Sequence, residues 1–194
     1  SGMSSMSAHH IIVKSGPTLE KLARAKTFAF DKTGTLTENQ LVVDQVVPAE
    51  ESVSKDELQG LAASVEQQSS HVIAGSLVKA TNKDLIKPVT DLKETTAQGV
   101  EGNVDGKHVK VGKLKFVAPD HEKIDVNSTA VFVSIDNQFA GYITLMDEMR
   151  PETPDTIAKL KRQGAQDIMM LTGDHKAVAE KVGNKAGITD IRAD

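Results

Sequence analysis

The sequence predicts an α/β domain interrupted by an inserted α+β domain. An apolar run, Thr27-Phe28-Ala29-Phe30, ends in the carboxylate of Asp31 and the turn-rich Lys32-Thr33-Gly34-Thr35, the pattern of a buried strand with a loop at its carboxyl end. A strand-and-helix rhythm of the same kind returns after Asp147. Between the two lie paired alternating stretches around turn dipeptides, together with two segments of helical period, as in an antiparallel sheet with flanking helices. The boundaries that follow are 1–38 with 147–194 for the α/β domain and 39–146 for the insert.

Taken in order, Leu19 to Ala25 has a short helical pattern leading into the first strand. Leu41 to Val47 reads as a strand. Lys55 to Gln68 and Val72 to Asn82 read as helices, the first with Ser54 as N-cap. Gly99 to Asp105 and Lys107 to Val111 are short strands joined at Asp105-Gly106, which suits the positive φ of a tight hairpin turn. Ala130 to Ile135 and Phe139 to Leu145 form a second hairpin turning at Asp136-Asn137. A helix is predicted from near Pro151 to Arg162, ended by Gly164, then a strand from Asp167 to Leu171, the loop Thr172-Gly173-Asp174, and a helix from Lys176 to Ala186 closed by Gly187.

Composition bounds the function classes. The 194 residues, 39% apolar and 26% charged, suit one large or two small folded domains, because domains cluster at roughly 100 to 150 residues. A net charge of -4 without a basic stripe argues against nucleic acid as a partner. The absence of cysteine excludes disulfides and thiolate metal sites and makes the cytosol the default compartment. No apolar stretch approaches the roughly 20 residues that cross a bilayer, so any membrane part is expected elsewhere. Ser1-Gly2-Met3 reads as a cloning remnant, and His9-His10, with no carboxylate or cysteine nearby, as a tag remnant or linker rather than a metal site. Met169-Met170 reads as core packing.

The chemistry centres on strand ends, where open α/β sheets collect ligands and catalytic groups. Asp31 is a nucleophile candidate, and Gly34 lets backbone approach a bound anion. A carboxylate attacking a phosphate needs charge compensation, for which Mg²⁺ is the usual means, with Lys32 and loop amides as helpers. Thr172, Gly173 and Asp174 end another predicted strand and would join the same phosphate site. Two residues after the nucleophile stands Thr33, which cannot shuttle protons at neutral pH, so a phosphorylated Asp31 is expected to persist. Taken singly, an Asp before a turn is ordinarily an Asx-turn or cap.

Together, Asp31-Lys32-Thr33-Gly34-Thr35-Leu36-Thr37 resembles the phosphorylation signature of P-type ATPases, and the resemblance extends to Thr172-Gly173-Asp174 and to Asp147 with Arg150-Pro151. Glu66 and His71 in Glu-Gln-Gln-Ser-Ser-His resemble the nucleotide-domain motif of the heavy-metal-transporting (CPx) subclass, where a glutamate and a histidine contact adenine. Gly99, Gly102 and Gly112 resemble its glycine-bearing strands near the nucleotide. The family's His-Pro is His71-Val72 here, and the first glycine of its Gly-x-Gly is Ala97. The stretch Met170 to Arg192 resembles zinc, cadmium and cobalt exporters more than copper exporters.

The resemblance implies a haloacid-dehalogenase-like phosphorylation domain with an inserted nucleotide-binding domain. It implies ATP and Mg²⁺ as cofactors, with Asp31 and Thr33 as Mg²⁺ ligands and a third expected beyond the C-terminus. The implied parent resides in a membrane, this part on the cytosolic face, and its partners are transmembrane and actuator domains and a transported metal cation. The sequence stops before the family's later phosphate-site lysine and its Gly-Asp-Gly-x-Asn-Asp motif, so an incomplete phosphorylation domain with little ATPase activity is expected. Two alternatives stand beside this: a soluble haloacid-dehalogenase-type phosphatase, against which Thr33 and the insert speak, and a nucleotide-binding module with an inert phosphorylation site.

Overall fold

The computed structural model describes residues 27–193. The expectations for Ser1–Met3, His9-His10 and the helical pattern at Leu19–Ala25 fall outside the described residues. The chain divides into two compact units, residues 1–40 with 147–194 and residues 41–146.

In the first unit, β1 (Thr27–Asp31), β8 (Asp167–Thr172) and β9 (Asp190–Ala193) form a three-stranded parallel sheet in the order β1-β8-β9. Phe28 and Phe30 share one face of β1, their rings stacked with centroids 6.4 Å apart. They are buried with Ile168 and Met170 of β8. Further buried apolar residues come from α4 (Thr153–Arg162) and α5 (Lys176–Ala186), which contribute Ile157, and Ala179, Val182 and Ala186 respectively. Helix α4 starts later than expected. Pro151 lies in a turn, and Pro154 supplies the fixed φ of the first helical turn. Strand β9 was not expected; its four residues are too few to show a period.

The second unit contains a six-stranded sheet in the order β2-β7-β6-β5-β4-β3, antiparallel from β7 through β3. Its strands are β2 (Thr37–Pro48), β3 (Thr90–Thr95), β4 (Gly99–Val104), β5 (Lys107–Gly112), β6 (Thr129–Ile135) and β7 (Gln138–Met149). Both hairpin turns fall where the dipeptides place them. Asp105 and Gly106 have φ of 51° and 75°, Asp136 and Asn137 of 51° and 64°, the left-handed pair that matches strand twist. Alternation on β4 and β5 sends Val100, Val104, Val109 and Val111 inward against Leu58, Leu61 and Val65 of α1 (Lys55–Glu66) and Leu77 of α2 (Val72–Ala80). Burying each such side chain contributes about 1.5–3 kcal/mol. Ser54 caps α1 as expected, its Oγ accepting from the Glu57 amide at 3.0 Å.

Strand β2 is longer than Leu41–Val47, helix α2 ends at Ala80 rather than Asn82, and a short helix α3 (Leu114–Val117) was not anticipated. Strand β3 was missed because its residues are nearly all exposed, leaving no apolar alternation to read.

Candidate functional site

In the first unit the sheet brings together the ends of two adjacent parallel strands. Asp31 closes β1 opposite Leu171 of β8, and Thr172-Gly173-Asp174 follows immediately on β8. Lys32 is almost wholly buried, and its Nζ lies 2.8 Å from Asp147 Oδ2 and 2.7 Å from Asp174 Oδ2. Burial alone would push the ammonium's pKa down. The hydrogen bonds and charges of the two carboxylates outweigh it and hold the pKa above its ordinary value. Thr33 Oγ also reaches Asp147 Oδ2, at 3.4 Å. In the last loop the Thr172 hydroxyl accepts from the Asp174 amide at 3.1 Å, shaping the turn that carries Asp174 back to Lys32.

The loop after Asp31 is tied down along its length. Gly34 takes φ +82°, which a side chain would resist, and its amide donates to Thr37 Oγ at 3.2 Å. Thr37 Oγ in turn donates to the Lys32 carbonyl. Arg150 donates from Nε to the Thr35 carbonyl at 3.1 Å and from a terminal nitrogen to the Gly34 carbonyl at 2.9 Å, while Thr153 Oγ donates to the Leu36 carbonyl. The sequence pointed to Arg150-Pro151 by resemblance alone; the clasp on the loop is the physical reason for an arginine there, since its fork meets two carbonyls at once.

In the second unit Glu66 is the last residue of α1 and only 7% exposed. Burial, and then the Glu94 carboxylate, raise its pKa from the ordinary 4.5 to about 7. His71 caps α2, its Nδ1 accepting from the Ile73 amide at 3.3 Å, and Val72 beside it is exposed. The glycines have local packing roles. Gly99 and Gly112 are paired across β4 and β5, and a Cβ on Gly99 would lie 2.2 Å from the Val111 carbonyl, one on Gly112 2.2 Å from the Gln98 carbonyl. A Cβ on Gly102 would meet the Val89 side chain at 2.5 Å. Ala97 keeps the turn of the missing glycine by taking φ +63° itself. Glu94 had no signal in the sequence, because it sits on the strand that periodicity did not reveal.

Over residues 25–194 the sequence matches the haloacid dehalogenase-like hydrolase family. The chain belongs to that family. Within it, this hydrolase domain corresponds to the catalytic part of heavy-metal-transporting P-type ATPases. It is 35% identical over 191 residues to the zinc-transporting ATPase of Synechocystis sp., a match covering 96% of this chain and 26% of that protein. It is 35% identical over 199 residues to the cadmium, zinc and cobalt-transporting ATPase of Bacillus subtilis, covering 100% of this chain and 28% of that protein. The hydrolase domain thus spans about a quarter of the length of the curated relatives it matches. Among solved structures, a zinc-transporting PIB-type ATPase in the E2.Pi state superposes with a TM-score of 0.74 at 29% identity, covering 99% of this chain and 33% of that one. The catalytic domain of the CPx-ATPase CopB-B, described for its conformational changes upon nucleotide binding, gives 0.63 at 29% identity, covering 100% and 72%. The fold is accordingly a haloacid dehalogenase-like α/β domain carrying an insert built on an antiparallel sheet. Among the described residues no helix is long and apolar enough to cross a membrane.

Proposed function

We propose that the chain is the ATP-binding and phosphorylation portion of a heavy-metal cation pump, acting on the cytosolic face of a membrane, with residues 1–40 and 147–194 as the phosphorylation domain and 41–146 as the nucleotide-binding domain. The observation that carries the proposal is the Lys32 ammonium clamped between Asp147 and Asp174 beside Asp31. An Asp31 oxygen attacks the γ-phosphorus of ATP, the Asp31 O–P bond forms, the bond to the bridging oxygen breaks, and ADP leaves with that electron pair. Lys32 positions the two loops and cancels one of the two carboxylate charges that would otherwise repel the incoming phosphate. Arg150 holds the loop geometry through the Gly34 and Thr35 carbonyls.

The donor set suits Mg²⁺. Asp147 and Asp174 are taken by Lys32, and no cluster of three carboxylate or imidazole side chains gathers as a closed cage among the described residues. Asp31 and Thr33 carry hard oxygen atoms that would hold Mg²⁺ beside phosphate oxygens, and Mg²⁺ typically uses few protein ligands. When bound, it neutralises charge on the transferring group. Thr33 offers no proton shuttle, so the acyl phosphate outlives its formation, as coupling to cation movement through transmembrane and actuator domains requires. In the nucleotide domain Glu66 and His71 hold adenine, with Gly99, Gly102 and Gly112 keeping the adjoining strands close.

Incubation with Mg²⁺ and γ-labelled ATP tests the catalytic half: an acid-stable, hydroxylamine-labile label is expected, and a label surviving in Asp31→Asn would remove Asp31 from its role. Amide resonances followed through an ATP titration test the other half. Saturable shifts at Glu66, His71 and Gly99, lost in Glu66→Ala and His71→Ala, are expected; shifts confined to other surfaces would refute the assignment.

A further inference from the structure

Glu66 is only 7% exposed, yet among the described residues no hydrogen-bond donor or cation meets its carboxyl group. Ser134 Oγ is the one side-chain polar atom among the described residues that is both sealed from solvent and unpartnered, so the Glu66 oxygens open outward. Three features of the surroundings disfavour a negative charge there. The site is desolvated. Glu66 is the final residue of α1, where the helix dipole presents its negative end. The neighbouring charge that bears on it is another carboxylate, Glu94 of β3, which takes a hydrogen bond from Ser69 Oγ at 3.4 Å.

The cations on the elements around α1 are occupied or turned away. Lys107 of β5 is held by Glu57 at 2.8 Å, about two and a half helical turns from Glu66. Lys110 and His108 of β5 and Glu101 of β4 alternate with the inward valines and so lie on the opposite face of the sheet, where His108 Nε2 is 3.0 Å from Glu101. Asp91 of β3 engages Asn103, and Lys93 is exposed on the same strand. Lys79 is in the last turn of α2, and Lys83 and Asp84 lie on the exposed turn Lys83–Leu85. His71 presents Nδ1 to a backbone donor.

We propose that Glu66 binds the nucleotide as a neutral carboxylic acid, its O–H donating to adenine N1 and its carbonyl accepting from the adenine N6 amine. This rests on the adenine-site reading given above and adds the protonation state and the base selectivity that follows from it. A protonated carboxyl offers one donor and one acceptor, which complements the acceptor–donor edge of adenine. Guanine presents N1–H and N2–H donors side by side, which calls for an ionised carboxylate and finds a mismatch in the acid. Because the group titrates near neutrality, the competent fraction falls as pH rises, and ATP affinity falls with it.

The test is ATP and GTP affinity at pH 6 and pH 8, measured calorimetrically on the wild-type chain, Glu66→Gln and Glu94→Gln, with the ¹³C resonance of the Glu66 carboxyl followed across the same range. Wild type is expected to bind ATP about tenfold more weakly at pH 8 than at pH 6. Glu66→Gln, whose amide donates and accepts in the same pattern, is expected to hold affinity at pH 8 and to show a pH slope shallower than that of the wild type. Glu94→Gln is expected to lower the Glu66 titration midpoint. A wild-type slope equal to that of Glu66→Gln, a carboxyl resonance that titrates at the ordinary glutamate value, or GTP binding as tight as ATP at pH 6 would each overturn the proposal while leaving the adenine site standing. No ATP binding by wild type at either pH would overturn the adenine site itself.

Discussion

Replacing Glu66 by Gln should change how stability depends on pH, independently of any ligand. The folded state raises this carboxyl from 4.5 to about 7, so between those values the folded chain holds a proton that the unfolded chain has released. Stability therefore falls as pH rises through this window, and the loss is complete above pH 7. At about 1.4 kcal/mol per pH unit of difference, the full effect is about 3 kcal/mol, of which about 2–3 kcal/mol develops between pH 5 and pH 8. With only 7% of the residue exposed, solvent screening does little to reduce it. Glu66→Gln removes the titration, so the wild type should lose that amount relative to the variant over the same range. The difference in pH slope is the informative quantity, because the absolute cost of seating an amide in the pocket is constant with pH. The chain has one tyrosine and no tryptophan, and Tyr142 lies on β7 with its ring 5.8 Å from Phe132. Tyrosine fluorescence in urea therefore reports the unit that contains Glu66. Equal slopes for the two proteins would refute the claim that Glu66 is held protonated by its surroundings.

Ala97→Gly should stabilise the same unit by about 0.5–1 kcal/mol, since a left-handed alanine costs about 1–2 kcal/mol and a flexible glycine returns part of that; the urea midpoint of the Tyr142 signal reads it, and a lower midpoint counts against a strained turn. Lys32→Met should destabilise the first unit by about 1–3 kcal/mol, below the usual cost of breaking a buried ion pair because Asp147 and Asp174 can be hydrated once abandoned. Hydrogen exchange of the β1 and β8 amides measures that loss, and unchanged protection would mean the clamp does not hold the loops.

Local patterns were enough for much of the fold. Thr27–Asp31, the Ser54 cap and the two hairpin turns were legible because each is written within a few residues: an apolar run with a carboxylate at its end, Ser54 three residues before Glu57, Asp105-Gly106 between two alternating stretches. The candidate residues Asp31, Lys32, Thr33 and Thr172 to Asp174 were legible for the same reason, as short motifs at strand ends. Helix starts were less so, as the shift from Pro151 to Thr153 shows, because two prolines three residues apart both satisfy the rule for a first turn.

By itself the sequence determined most of the strands and helices, β3, β9 and the short α3 excepted, that the α/β pattern is interrupted, and that a carboxylate stands at a strand end. Only the tertiary structure decided the electrostatics. Lys32 finds Asp147 across 115 residues and also reaches Asp174 after the neighbouring strand, and Glu66 acquires Glu94 as a neighbour from an edge strand whose exposed residues carry no apolar period. The reason is physical. Secondary structure follows from interactions between residues a few positions apart, whereas the charge state of a buried group depends on what the fold packs against it and on how much water it removes.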